Sequence, residues 1–166
     1  DINQKELEPH PILRAAIRRL RKNPPPPAQS VVPVHGDMRS GNFLFNEEGD
    51  IKAILDWEMF HLGDPLEDLT WALNPIWSWA EQDQLGSMIP RDQAMEIWKD
   101  TSGFDIDPAA LTWWEIFSSI KGMAIWISMN KVYADGENTD GIIGYGGMSA
   151  LDFQRRALLQ QMTEAI

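Results

Sequence analysis

Apolar residues recur at helical spacing near the start of the chain. The apolar residues recur at intervals of three and four positions, with charged residues between them: Ile12, Leu13, Ala16, Ile17 and Leu20. Such spacing places the apolar side chains on one face of a helix, and Pro11 just before them suits the first helical position. The pattern therefore predicts an amphipathic helix over residues 11–22.

The second half of the chain is also periodic, and turn residues divide it into segments. Helices are predicted from Pro65 to the break at Asn74-Pro75, and then over residues 91–100, 108–133 and 149–163. Asp107 followed by a proline is typical of a helix start, because aspartate caps free backbone amides there. Glycines at positions 141, 144, 146 and 147 predict a flexible loop before the last helix.

Three β-prone runs separate the first helix from the others. Residues 31–34 lead into His35, and residues 42–46 and 51–55 flank a turn that contains Gly49. Two such runs joined by a glycine turn predict a β-hairpin, with Asn42 at its entry and Asp56 at its exit. The hairpin is expected to bring Asn42 and Asp56 together. The whole pattern predicts an α+β fold that is mostly α.

Composition narrows the classes of protein. A chain of 166 residues with 43% hydrophobic content is long enough for one domain with a core. The net charge of −11 disfavours nucleic-acid binding, which requires clustered basic residues. The absence of cysteine excludes disulfides and thiolate metal sites. The most apolar stretch, residues 116–129, contains Lys121 and is too short to cross a bilayer, so we expect a cytoplasmic protein without a membrane partner.

The candidate chemistry lies around the hairpin. His35, Gly36, Asp37 and Asn42 follow the pattern H-G-D-x-x-x-x-N, and Asp56 begins the sequence D-W-E. Phosphoryl transfer uses one carboxylate that meets the substrate hydroxyl, while an amide and a second carboxylate hold magnesium. Oxygen ligands from adjacent strand ends suit Mg²⁺, which keeps further positions for phosphate and water.

These residues, with the later sequence L-G-D-P-L-E-D-L at positions 62–69, resemble the aminoglycoside phosphotransferase and choline kinase-like families. These families are relatives of the protein kinases. The resemblance implies that residues 1–166 form a protein kinase-like C-terminal lobe with a small β-hairpin that carries the catalytic and metal-binding residues. It also implies ATP and Mg²⁺ as cofactors, and transfer of the ATP γ-phosphoryl group to a hydroxyl of a small-molecule acceptor.

The same resemblance assigns roles to individual residues. Asp37 is the catalytic carboxylate, and Asn42 and Asp56 bind Mg²⁺ and the ATP phosphates. Arg39 either contacts the transferred phosphate or is simply exposed. Glu58 either adds a metal contact, faces the acceptor or holds a backbone amide.

Several neighbouring residues are predicted to be structural. Asp64 and Asp68 precede or begin a helix, where carboxylates cap backbone amides. His35 ends an apolar strand and is expected to be a buried hydrogen-bonding anchor of the loop. Most of the eight tryptophans are expected in the core, with a few lining an acceptor pocket.

A kinase-like enzyme also needs a glycine-rich loop over the phosphates and a strand lysine paired with a helix glutamate. Neither has a candidate before His35. Residues 1–30 are therefore interpreted as a helix and a proline-rich connector from an N-terminal lobe that this chain lacks. The leading hypothesis is an ATP-dependent small-molecule kinase lobe that is inactive alone. The alternatives are a non-catalytic binding module and a metal-dependent hydrolase that uses Asp37, Asp56 and Glu58.

Overall fold

The computed structural model describes residues 7–78 and 83–164. Predictions that concern residues 1–6 and Trp79 lie outside these ranges. In chain order the elements are α1 (Pro11–Lys22), β1 (Val32–Val34), β2 (Phe43–Phe45), β3 (Ile51–Ile54), β4 (His61–Gly63), α2 (Leu66–Ala72), β5 (Gln84–Leu85), β6 (Ile89–Pro90), α3 (Arg91–Ser102), α4 (Pro108–Ala134) and α5 (Gly141–Glu164). The predicted α+β, mostly α fold class is confirmed.

The chain divides into two compact units. One is Pro25–Glu115, and the other combines the residues up to Pro24 with those from Ile116 onward. In the described ranges, none of the helices is long and apolar enough to cross a membrane.

Among the described residues of the unit Pro25–Glu115, the strands form three antiparallel pairs. The predicted hairpin is confirmed as β2 with β3, in which Phe43 lies opposite Ile54. Gly49, with a φ of +88°, occupies the connecting turn, where a left-handed conformation favours glycine. β1 pairs with β4, so that Val34 lies opposite His61. The β1–β4 pair places the loop after Val34 beside the segment that follows the hairpin.

Helices α2, α3 and the start of α4 enclose the core of this unit. Leu66, Leu69 and Leu73 are buried together with Ala94 and Ala110. The predicted start of α4 is confirmed, since the Asp107 carboxylate accepts a 2.8 Å hydrogen bond from the amide of Ala110.

The second unit corrects one prediction. Residues 141–147 are not a flexible loop but the first two turns of α5. Gly144 and Gly147 are buried. A Cβ at Gly144 would lie 2.6 Å from the Tyr133 ring, and a Cβ at Gly147 would lie 2.5 Å from the Asn130 Oδ1 atom, so neither position has room for a side chain. Here glycine allows close contact between helices, which outweighs its low helix propensity.

Candidate active site

Asp37 is held by three hydrogen-bond donors. Its Oδ1 accepts from the indole Nε1 of Trp71 at 2.7 Å. Its Oδ2 accepts from the side-chain amide of Asn42 at 2.8 Å and from the Arg39 Nε at 3.1 Å. The Asp37 side chain is 19% exposed, so the carboxylate is accessible while its orientation is fixed. A positioned and accessible carboxylate meets the geometric requirement for accepting a proton from a substrate.

Asn42 connects Asp37 to the hairpin. Its amide nitrogen also donates to the Asp37 backbone carbonyl at 2.8 Å, and the residue is 4% exposed. The backbone carbonyl oxygen of Asn42 accepts a hydrogen bond from the backbone amide of Leu55, the residue before Asp56, at 2.8 Å. The prediction that the hairpin ends bring residues 42 and 56 together therefore agrees with the backbone register.

The structure supports the anchoring role of His35. The ring is buried, with its Nδ1 3.1 Å from the amide of Asp37 and its Nε2 2.7 Å from the Leu55 carbonyl. An amide donates and a carbonyl accepts, so the proton of the neutral imidazole lies on Nε2. Trp57 packs against the ring with centroids 4.6 Å apart. His35 thus joins the loop that carries Asp37 to the end of the hairpin, which is a structural role.

Asp68 fixes the backbone of the same loop. Its two carboxylate oxygens accept from the amides of His35 at 2.7 Å and Gly36 at 2.9 Å. The predicted structural role is therefore correct, although the capped amides belong to the loop and not to α2. Asp64 is also structural, since it accepts from the amide of Leu66 at 2.9 Å and from the Trp114 indole at 3.1 Å.

Gly36 is required by two features of its backbone. Its φ is +84°, in the left-handed region, and a Cβ there would lie 2.7 Å from the Met59 carbonyl oxygen. Only glycine permits this conformation together with this approach. The turn Trp57–Met59 consequently lies against the loop that carries Asp37.

Arg39 is neither fully exposed nor free. In addition to its contact with Asp37, its guanidinium lies 5.1 Å from the centre of the Trp77 ring. Trp77 in turn packs edge-on against Trp71, with centroids 5.2 Å apart. A Cβ at Gly41 would lie 2.3 Å from an Arg39 nitrogen, so glycine leaves room for this side chain. The arrangement keeps a cation beside the Asp37 carboxylate.

Asp56 has a different environment. It is exposed and adopts a left-handed backbone conformation with φ 69° and ψ 49°. Non-glycine residues adopt this conformation at a cost, and such residues cluster at functional sites. Glu58 lies two residues later on the exposed turn.

The oxygen atoms available at the hairpin end are suitable ligands for Mg²⁺. The Nδ2 atom of Asn42 is committed to Asp37, which leaves the amide oxygen as the atom available to a cation. Asp56 adds carboxylate oxygens. Two such protein ligands suit an ion whose coordination is completed by phosphate and water.

The structure does not support the hydrolase alternative. Across residues 7–78 and 83–164, no three His, Asp or Glu side chains converge in a way that could hold a metal ion. Asp37, Asp56 and Glu58 are therefore not grouped as the ligands of one metal ion.

Trp71 is the residue that sequence reasoning missed. Most of the tryptophans are expected in the core, and Trp71 is indeed only 1% exposed, but its indole also donates a hydrogen bond to the Asp37 carboxylate. The available signal was its position three residues after Asp68, because residues at this spacing share one face of a helix. The face of α2 that fixes the loop backbone thus also fixes the side chain of Asp37.

Comparison with known proteins identifies the family. The sequence matches the phosphotransferase enzyme family, APH, over residues 2–104. The chain belongs to this family, as the resemblance predicted.

Individual relatives cover parts of the chain. Acyl-CoA dehydrogenase family member 11 of Gallus gallus is 36% identical over 63 residues, which are 37% of this chain and 8% of that protein. Acyl-CoA dehydrogenase family member 10 of Mus musculus is 42% identical over 48 residues, 28% of this chain and 4% of that protein.

One solved structure shares the fold. It is the crystal structure of a candidate aminoglycoside phosphotransferase from Ralstonia eutropha, with a TM-score of 0.82 and 20% sequence identity. The superposition covers 97% of this chain and 52% of the other. The chain therefore spans about half the length of this structural relative and less than a tenth of the two sequence relatives.

Proposed function

We propose that this chain is the catalytic and metal-binding lobe of an ATP-dependent phosphotransferase that acts on a hydroxyl of a small molecule. The observation that carries the proposal is the set of three hydrogen bonds that orient the Asp37 carboxylate. This carboxylate lies beside the hairpin end that contains Asn42 and Asp56. Membership of the phosphotransferase enzyme family supports the reaction class. The binding-module alternative gives no reason for three donors to orient one accessible carboxylate.

Each residue has a defined task in this proposal. Asp37 accepts the proton of the acceptor hydroxyl. The hydroxyl oxygen bonds to the γ-phosphorus of ATP, and the bond from that phosphorus to the bridging β-phosphate oxygen breaks. Positioning contributes more than basicity in such a loose transition state. Arg39 meets the oxygens of the transferred group. Asn42 and Asp56 would hold Mg²⁺, with Glu58 following on the same turn, and the ion would supply positive charge against the phosphates.

A further lobe belongs to the same proposal. The hairpin and the segment after it expose a cluster of large apolar side chains: Leu44, Phe45, Ile51, Leu55, Trp57, Phe60 and Leu62. Leu62 is 66% and Phe45 67% exposed, and several large apolar side chains exposed in one region favour an interaction site. We infer that a nucleotide-binding lobe covers this patch. The greater length of the structural relative is consistent with this.

Transfer of labelled γ-phosphoryl from ATP to a panel of hydroxyl compounds tests the proposed reaction in the complete gene product. Asp37→Asn and Asp56→Ala should reduce turnover to background with little loss of fold. Asp50→Asn, an exposed change in the hairpin turn, is the matched control and should leave turnover intact. Full turnover by the Asp56→Ala variant would refute the assignment.

Calorimetry of the 166-residue chain with ATP and Mg²⁺ tests the inferred lobe separately. Without a lobe over the apolar patch, the nucleotide affinity should be negligible. Micromolar binding would overturn this part of the proposal and leave the roles of Asp37 and Asp56 untouched.

A further inference from the structure

A cavity lies within the unit that contains α1 and α5. It has a volume of about 370 Å³ and is enclosed by the segment before α1, the last turns of α4 and the first half of α5. This volume falls in the range of small-molecule sites, roughly 300–1,000 Å³. None of the residues assigned to phosphoryl transfer lines it.

The spacing of the lining residues gives the cavity its shape. On α5 the lining residues are Gly144, Met148, Leu151 and Arg155, at intervals of four, three and four, which is one face of a helix. At the helical rise these residues span about 16 Å along the axis. The facing wall on α4 runs from Ile127 to Ala134 by the same periodicity. The cavity is therefore an elongated trough along α5.

One end of the trough is apolar. The Tyr133 ring lies so close to Gly144 that a Cβ there would be 2.6 Å from the ring. Met148 is 58% exposed and Tyr145, on the adjacent surface of α5, is 76% exposed. The apolar wall thus continues outward past the cavity. An alkyl chain or an aryl group would remove this surface from water.

The other end carries two opposite charges. Arg155 Nη1 lies 3.4 Å from the Glu8 carboxylate, a long contact between side chains that are 41% and 59% exposed. Arg155 also donates to Asp152 at 2.9 Å. An anionic head group would meet Glu8, and a cationic one would meet Arg155. A hydroxyl donates to the carboxylate and accepts from the guanidinium, so it satisfies both without like-charge repulsion.

From this geometry we propose that the trough binds an elongated, uncharged amphiphile whose hydroxyl head lies between Glu8 and Arg155 and whose apolar body lies along α5. The site does not rest on the proposed phosphoryl transfer. It requires only the unit in which the cavity lies.

The test uses three probes of one chain length, 1-octanol, octylammonium and octanoate, titrated into the 166-residue chain and followed by NMR shifts of α4 and α5 amides. 1-Octanol should bind about tenfold more tightly than either ion. Tighter binding of octanoate or octylammonium, or no saturable binding of 1-octanol, would overturn the proposal.

Two variants locate the binding. Ala134→Phe fills the trough from an exposed position at the end of α4 and should lower the affinity for 1-octanol by about tenfold or more. Leu159→Phe, on exposed α5 surface outside the trough, is the matched control and should not change it.

Glu8→Gln tests the head-group argument at an exposed site. It should bring octanoate to within about threefold of 1-octanol, because the carboxylate no longer faces a like charge. An unchanged preference between the two probes would refute the placement of the head.

Discussion

In the unit Pro25–Glu115, polar side chains fix the backbone around Asp37, whereas in the unit that contains α5, glycines fix the distance between helices. Asp68 holds two loop amides and Trp71 holds the carboxylate itself. In the other unit, Gly122 and Gly147 let side chains of the facing helix approach the backbone. The first arrangement fixes the orientation of one accessible carboxylate. The second arrangement produces close packing, with an elongated cavity beside it.

Trp71→Phe should have the largest effect, because it removes a donor to a carboxylate while keeping an aromatic ring. A hydrogen bond to a charged group contributes about 1.5–3 kcal/mol, so kcat in the complete gene product should fall by roughly 10- to 100-fold with little change in KM. Trp98→Phe, in the core away from Asp37, is the control and should leave kcat unchanged. Equal kcat values for both variants would mean that Trp71 only packs.

Asp68→Ala should lower stability by about 1–3 kcal/mol, because the amides of His35 and Gly36 lose their acceptor. Urea unfolding of the 166-residue chain measures this difference. The exposed Asp100→Ala on α3 is the control and should stay within about 0.5 kcal/mol of the wild type. If Asp68→Ala matched this control, hydrogen bonds would not be what fixes the loop.

Two glycine variants test the packing side of the comparison. A Cβ at Gly122 would lie 2.6 Å from the Oε1 of Gln154, a fully buried residue whose Nε2 donates a hydrogen bond to the Ser119 hydroxyl. Gly122→Ala should therefore destabilise by about 1–2 kcal/mol despite its better helix propensity. Gly146 faces open space, and Gly146→Ala should stabilise by roughly 0.5–1 kcal/mol. Thermal unfolding of both variants should shift in opposite directions, and a shared direction would contradict the packing argument.

The smallest effect concerns Asp152 on α5. Hydrogen bonds from Arg155 and then Arg156 hold the pKa of Asp152 below its ordinary value. A lowered folded-state pKa contributes stability above the ordinary aspartate pKa, and this contribution is lost as the pH falls through the lowered value. Melting temperatures of the wild type and Asp152→Asn should differ slightly near neutral pH and converge in acid. A difference that persists in acid would assign the effect to another cause.

The sequence predicts the local structure well wherever one residue type has one physical use. Pro11 with its periodic apolar residues predicts α1, Gly49 predicts the hairpin turn, and Asp107 predicts the start of α4. The order of Asp37, Asn42 and Asp56 predicts the family.

Prediction fails where a residue has several uses that only tertiary contacts distinguish. The glycines at the start of α5 predict a loop from sequence, but in the structure Tyr133 and Asn130 pack against Gly144 and Gly147. β4 pairs with β1 across about thirty residues, and this pairing has no local signal of its own. Trp71 is both a core residue and a donor to Asp37, and hydrophobic periodicity reports only the first.

Hydrogen bonds within the fold hold the loop of Asp37 in place, whereas the turn after Asp56 is exposed. Residue-resolved amide hydrogen exchange of the 166-residue chain, without nucleotide or metal, tests this most directly. The amides of His35 and Gly36, which donate to Asp68, should exchange more slowly than the amide of Glu58 by at least an order of magnitude. Equal and rapid exchange at all three positions would contradict the claim.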